Sequence, residues 1–142
     1  MGNSPAALKA YLAMSAALAE GELSPEDREV IYLAVSEGNG CEYCVSAHTM
    51  VAKKIGLTME ETLAARRFLS TDKKRATLLE FVRRVIASKG FVSDDELSEV
   101  QTAGYSDGQI AEAVGYIGLA TYSNLFNHVN GTTLDFPAAE KL

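Results

Sequence analysis

The chain has 142 residues, of which 47% are hydrophobic and 23% are charged, values typical of one globular domain with a buried core. Its 13 lysines and arginines against 19 aspartates and glutamates give a net charge of -6, which argues against nucleic-acid binding because phosphate contacts need clustered cations. Its apolar stretches are far shorter than the roughly 20 residues of a membrane span, so we expect a single domain over residues 1–142 that does not cross a membrane.

Apolar residues recur at helical spacing, and no stretch shows the alternation of a β-strand. A first helix is predicted over residues 4–20, and a second over residues 24–37. Residues 30–35 of the second helix are apolar on every side, so that helix should be largely buried. A third helix is predicted over residues 41–55, where a glycine follows and ends it.

Four more helices are predicted over residues 58–68, 71–89, 93–103 and 106–129. Residues with the spacing of a capping box begin three of them: Thr58 with Glu61, Ser93 with Glu96, and Ser106 with Gln109. Thr71 is expected to cap the remaining one, whose cations should be solvated: Lys73, Lys74, Arg75, Arg83 and Arg84. The sequence therefore predicts an all-α, compact bundle of six to seven helices.

The third predicted helix contains the only two cysteines and one of the two histidines of the chain. At about 100° per residue, Cys41, Cys44 and His48 share one face of that helix. Cysteines three residues apart on a helix fall within the Cα separation that a disulfide tolerates, about 4.4 to 6.8 Å. A helix N-terminus and a neighbouring imidazole both favour the thiolate. The pattern thus predicts a redox pair.

The roles of the two cysteines follow from their distances to the imidazole. His48 is about 6 Å from Cys44 along the helix axis and about 10 Å from Cys41, so Cys44 is predicted to be the nucleophile and Cys41 the resolving thiol. The helix dipole alone would favour Cys41. Glu29 on the second helix can orient the imidazole if the two helices pack antiparallel. The alternative for Glu29 is a solvated surface carboxylate.

Glu29, Cys41-x-x-Cys44 and His48, in this order and helical context, resemble the AhpD-like alkylhydroperoxidase branch of the carboxymuconolactone decarboxylase family. The segment from Asn127 to Pro137 is similar to the tail of short family members. The resemblance is strongest over about residues 24–57 and implies an AhpD-like fold for the whole chain.

The resemblance implies a thiol peroxidase. In such an enzyme Cys44 would attack the peroxide bond and become a sulfenic acid, which Cys41 would convert to a disulfide. Glu29 and His48 would form the proton relay. The family also implies no metal or organic cofactor, assembly as a homo-trimer or homo-hexamer, and a thiol reductant that is a lipoylated or thioredoxin-like protein. Tyr43 replaces a histidine of the best-known member, which leaves the reductant open.

Three other functions are alternatives to a thiol peroxidase. Cys41, Cys44, His48 and Glu29 are acceptable zinc ligands, but no second cluster of ligands exists except the isolated His128. A thiol-disulfide oxidoreductase or redox-regulated binding protein would need no peroxide, although thioredoxin-like proteins carry their motif beside a parallel-sheet pattern. A carboxymuconolactone-type decarboxylase shares the family fold but does not use the cysteine pair.

The remaining expectations concern location and the aromatic residues. The alanine-rich N-terminal segment lacks a basic leader and is interrupted by Lys9, which predicts a cytoplasmic protein. His128 is expected to complement the dipole at the end of the last helix. The larger aromatic residues are assigned to the core or to subunit contacts rather than to the site: Tyr32, Tyr116, Tyr122 and Phe126.

Overall fold

The computed structural model describes all 142 residues and consists of seven α-helices without a β-strand. The predicted all-α bundle is therefore confirmed. In chain order the helices are α1 (Pro5–Ala19), α2 (Pro25–Gly38), α3 (Glu42–Lys54), α4 (Met59–Arg66), α5 (Lys73–Ser88), α6 (Asp94–Thr102) and α7 (Asp107–Asn130).

Local capping determines where the helices begin. Three of the four caps expected from the sequence are present, at Thr58, Ser93 and Ser106, and Ser4 and Ser24 cap the first two helices. The exception is α5, where Asp72 instead of Thr71 is the cap and accepts a hydrogen bond from the Arg75 N–H at 2.8 Å. A carboxylate at this position also interacts favourably with the helix dipole.

Helix α2 is the centre of the core. It packs against α3, α4, α5 and α7, and its residues from Val30 to Val35 are buried on every side, as predicted. One cluster of buried side chains joins α2 to α5, α6 and α7, while a second joins α2 to α3, α4 and α5. Because α2 is held from several directions, Glu29, directly before the buried segment, has a fixed position.

The outer face of α5 departs from the prediction at Arg75. Arg75 was expected to be solvated, but its side chain is only 19% exposed, and its Nε donates to the carboxylate of Asp27 at 3.0 Å. A buried carboxylate requires such a partner, and helical spacing within α5 cannot show what approaches from α2.

Helix α1 lies along α7 and contributes no buried residue. The hydroxyl of Tyr116 on α7 donates to the carbonyl of Leu18 at 2.8 Å, which fixes the end of α1. Several apolar side chains of these two helices remain exposed: Leu8, Leu12, Met14, Val114, Tyr122, Leu125 and Val129. None of the seven helices combines the length and hydropathy needed to span a membrane.

Candidate active site

Cys41 and Cys44 form a disulfide at the start of α3, with their Cα atoms 5.3 Å apart. Cys41 is the N-cap residue of the helix, and its Sγ accepts a hydrogen bond from the Cys44 N–H at 3.3 Å. Both residues are buried. The pair predicted from the spacing is therefore joined within one helical turn, and the sulfur of Cys41 also satisfies a backbone donor that the helix start would otherwise leave free.

His48 and Glu29 meet beside the cysteine-bearing turn. The linker at residues 39–41 folds α3 back along α2, and the Nδ1–H of His48 donates to Oε2 of Glu29 at 2.8 Å. Their side chains are only 21% and 12% exposed. An ionised carboxylate can only accept a hydrogen bond, so Glu29 fixes the tautomer in which Nδ1 of the imidazole carries the proton. In the neutral ring Nε2 is then the nitrogen that can accept a proton. Glu29 is thus a partner of His48 and not a solvated carboxylate.

Tyr32 also belongs to the site, although sequence analysis assigned it to the core or a subunit contact. Its ring stacks on the His48 ring with 4.1 Å between centroids and 11° between planes. Burial raises the pKa of Tyr32, so its hydroxyl is neutral over the physiological range. Tyr32 follows Glu29 by three positions on α2, and residues at that spacing share a helix face. That spacing was the signal that could have identified it.

Asn127, in the last turns of α7, contacts the second cysteine. Its Nδ2 lies 3.2 Å from Sγ of Cys44. One turn earlier, the fully buried Asn124 donates to the Ser36 hydroxyl at 3.1 Å and accepts from the Asn39 side chain at 2.9 Å. Sequence reasoning included Asn127 only in a similar tail segment, because the contact joins residues that are 83 positions apart.

A cleft of about 320 Å³ opens beside the disulfide, between the start of α3 and the end of α7. Cys41 lines this cleft and Cys44 does not. The other lining residues are Gly40, Glu42, Tyr43, Asn127, His128, Gly131 and Thr132. His128 lies in the last turn of α7, as predicted, and its exposed side chain also borders the cleft. Of the two buried cysteines, the cleft is therefore bordered by Cys41.

The C-terminal tail folds back over α3 and holds the residues around the cysteines. The Phe136 ring packs against the Tyr43 ring with centroids 4.9 Å apart. The Ala139 N–H donates to the buried Ser46 hydroxyl at 2.9 Å. Tyr43, which lies between the two cysteines in sequence, is thus fixed by an aromatic contact from the tail.

The four residues of the zinc alternative are engaged with one another. The two sulfurs are bonded, and Nδ1 of His48 faces Glu29. No group of three or more histidine, cysteine, aspartate or glutamate side chains is arranged to hold a metal ion. This arrangement suits thiol and proton chemistry.

Comparison with known proteins identifies the family. The model of the carboxymuconolactone decarboxylase family matches residues 5–81, more than half of the chain, and that segment includes Glu29, both cysteines and His48. The chain belongs to the carboxymuconolactone decarboxylase family. Within this family, its cysteine pair and its neighbours in sequence and structure make it an AhpD-like member.

One of the curated relatives carries a functional name. The chain is 39% identical over 74 residues to an alkyl hydroperoxide reductase AhpD from Solibacter usitatus (strain Ellin6076), a match that covers 52% of this chain and 41% of the relative. The chain spans about two fifths of the length of the curated relatives that it matches. The sequence similarity thus concerns the segment with the site.

Solved structures share the fold over nearly the whole chain. A protein of unknown function from Agrobacterium tumefaciens superposes with a TM-score of 0.85 at 22% identity, covering 96% of this chain and 95% of that chain. The alkylhydroperoxidase AhpD core of an uncharacterized peroxidase-related protein from Ralstonia eutropha JMP134 superposes with a TM-score of 0.81 at 22% identity, covering 94% and 73%. At such identities the likeness establishes the AhpD-like architecture.

Proposed function

We propose that this protein is a thiol-dependent alkyl hydroperoxidase that cycles Cys41 and Cys44 between dithiol and disulfide. Support comes mainly from the 2.8 Å hydrogen bond between Glu29 and His48, one helical turn beyond Cys44. A disulfide alone would serve a structural or exchange role equally well. An imidazole oriented by a carboxylate adds the group that moves protons during peroxide cleavage.

In the oxidative half of the cycle, His48 takes the proton of the Cys44 thiol, and Glu29 stabilises the imidazolium that results. The thiolate attacks one peroxide oxygen, the oxygen–oxygen bond breaks, and Cys44 becomes a sulfenic acid. His48 returns the proton to the departing alkoxide or hydroxide. The Cys41 thiol then attacks the sulfenic sulfur, which forms the disulfide and releases water.

In the reductive half, we propose that a reductant thiolate attacks Cys41, because the sulfur-bearing residue that lines the 320 Å³ cleft is Cys41. A mixed disulfide forms on Cys41, and Cys44 leaves as a thiolate. A second thiol of the reductant then releases Cys41 and closes the reductant's own disulfide. A dithiol on a lipoylated or thioredoxin-like protein supplies both thiols.

We further propose that copies of the chain assemble as a homo-trimer or homo-hexamer through α1 and α7. Exposed apolar side chains concentrate on these helices, among them Leu12 at 54% and Leu125 at 58% exposure. Apolar surface of this kind is typical of association sites. Sedimentation of the parent and of Leu12→Glu and Leu125→Glu tests the assembly, and an oligomer that is unaffected by both changes would exclude these residues from the interface.

A thiol-disulfide oxidoreductase without peroxidase activity is the second candidate. The position of Cys41 at the cleft favours this candidate, because thiol exchange needs only a disulfide that a second thiol can approach. The two candidates differ in the role of Glu29 and His48. A peroxidase needs them for proton transfer, whereas disulfide exchange at Cys41 does not require them.

Single-turnover oxidation of the reduced protein separates the candidates. The protein is mixed with hydrogen peroxide or an alkyl hydroperoxide and quenched with N-ethylmaleimide, and free thiols are counted by mass spectrometry, since the chain has no tryptophan for fluorescence. Cys44→Ser should abolish peroxide consumption. Cys41→Ser should instead accumulate a sulfenic acid on Cys44 that dimedone traps. Peroxide consumption by Cys44→Ser at the parent rate would refute the proposal.

A further inference from the structure

The contact between Asn127 and Cys44 has a defined polarity. A disulfide sulfur presents only lone pairs, so a side-chain amide 3.2 Å away must direct its Nδ2–H, and not its oxygen, at Sγ of Cys44. Reduction replaces that weak acceptor by a thiolate. Hydrogen bonds to an ionised group are considerably stronger than those between neutral groups. The hydrogen bond from Asn127 therefore stabilises the Cys44 thiolate of the reduced protein more than it stabilises the disulfide.

The position of Asn127 is fixed from both sides along α7. Asn124, on the same helix face one turn earlier, is fully buried and bonds to the end of α2. After Asn127 the helix ends at Gly131, whose left-handed conformation lets the Thr132 N–H donate to the Asn127 carbonyl at 3.1 Å. The amide thus meets the sulfur from a rigid segment, which is the condition for effective stabilisation of a developing charge.

The charged groups around the cysteine pair include carboxylates that disfavour a thiolate, so a neutral hydrogen-bond donor is needed to stabilise it. Beside His48 on α3 there is Glu29 from α2, and the cleft is bordered by Glu42 on α3 and His128 on α7. In the tail, Asp135 is close enough to Tyr43 that it adds to the effect of burial in raising the pKa of that tyrosine. Three carboxylates in this neighbourhood oppose a further negative charge. An amide can stabilise the thiolate without adding a charge.

We propose that Asn127 is a catalytic residue whose side-chain N–H stabilises the Cys44 thiolate. It acts when Cys44 attacks the peroxide, and again when Cys44 leaves during reduction of the disulfide. The peroxide step rests on the function proposed above. The effect on the thiolate is a property of the reduced chain and can be measured without peroxide.

The test is a titration of the single Cys44 thiol in a Cys41→Ser background, followed by the ultraviolet absorbance of the thiolate. A chain with both cysteines changed to serine supplies the tyrosine background. Asn127→Leu removes the donor at similar volume, and Asn127→Asp replaces it by a carboxylate. Asn130→Leu is the matched control, since Asn130 lies on the same helix, is exposed, and bonds only to the Phe126 carbonyl.

We expect Asn127→Leu to raise the pKa of Cys44 by about one to two units. Asn127→Asp should raise it further, and Asn130→Leu should leave it unchanged. Circular dichroism identifies the variants that fold, and Asn127→Asp preserves the shape of the side chain if the leucine variant does not fold. An unchanged pKa in a folded Asn127 variant would overturn the role of Asn127, even if the protein consumes peroxide. A shifted pKa in a protein inert to peroxide would support that role and refute only the peroxidase.

Discussion

The imidazole of His48 lies flat against the phenol ring of Tyr32, with 4.1 Å between the ring centroids. The Tyr32 ring in turn packs against the Tyr116 ring in a T-shaped arrangement, with 5.4 Å between centroids. The stack determines the plane of the imidazole, while the carboxylate of Glu29 determines its rotation within that plane. Two residues of α2 together orient the imidazole of His48 on α3.

Replacing Tyr32 tests the stacking separately from the hydroxyl. Tyr32→Phe keeps the ring and should oxidise within about twofold of the parent rate, whereas Tyr32→Leu should slow peroxide-dependent disulfide formation roughly tenfold to a hundredfold, the scale of orientation effects. Single-turnover thiol counting measures both rates at a temperature where both variants remain folded. Equal rates for the two variants would mean that stacking does not position the imidazole.

The Glu29–His48 pair should act as a unit. Glu29→Gln and His48→Asn are each expected to slow peroxide-dependent disulfide formation by roughly 10² to 10⁴, the usual contribution of acid–base groups. The double variant should be no slower than the slower single variant, because groups that act together are not additive. Glu26→Gln, one turn earlier on α2, is the control and should match the parent. Additive losses would indicate independent roles.

Much of this pair was predictable from sequence, because the determinants are local. Helix caps such as Ser24 depend on neighbouring residues, and a short linker between α2 and α3 leaves Glu29 little choice of partner. The contacts of Arg75 and Asn127 were not predictable, since they join helices that are far apart in sequence. Periodicity states which side of a helix is buried, but not which side chain packs there.

Arg66 should contribute to stability well beyond an ordinary surface arginine. It is 6% exposed, and it donates to Glu37 at 2.7 Å and to the Glu140 carbonyl at 2.6 Å. Arg66→Met should lower the free energy of unfolding by about 2 kcal/mol, because the two hydrogen bonds that the buried guanidinium donates, one of them to a carboxylate, are lost. Arg67→Met, at the exposed neighbouring position, should change it by less than about 0.5 kcal/mol. Urea denaturation measures both, and equal effects would contradict this role.

Glu80 predicts a pH dependence of stability. Hydrogen bonds from Arg83 and Arg84 lower the pKa of this carboxyl from 4.5 to about 2. Because the pKa is lower in the folded state, the stabilisation is present above about pH 4.5 and is lost as the pH falls toward 2. Glu80 is partly solvated, so Glu80→Gln should cost no more than about 1 kcal/mol at neutral pH.

The check is the difference in unfolding free energy between the parent and Glu80→Gln as the pH is lowered. That difference should shrink over the interval in which the carboxyl takes up its proton. Glu20→Gln, at an exposed position outside the ion pairs of the bundle, should show no comparable change. If the difference in unfolding free energy between the parent and Glu80→Gln stayed constant down to pH 2, the ion pairs of Glu80 would not be its cause.

Cys41 is both the cap of α3 and one partner of the disulfide, so the same atom serves the backbone and the redox chemistry. Its sulfur can accept the Cys44 N–H as a thiol as well as in the disulfide, so the helix start can keep its capping hydrogen bond when the bond between the sulfurs forms or breaks. Oxidised and reduced molecules would then have the same outline. In the proposed cycle, a reductant that selects the oxidised form would have to recognise the sulfur atoms themselves, because the surrounding surface would be the same in both forms.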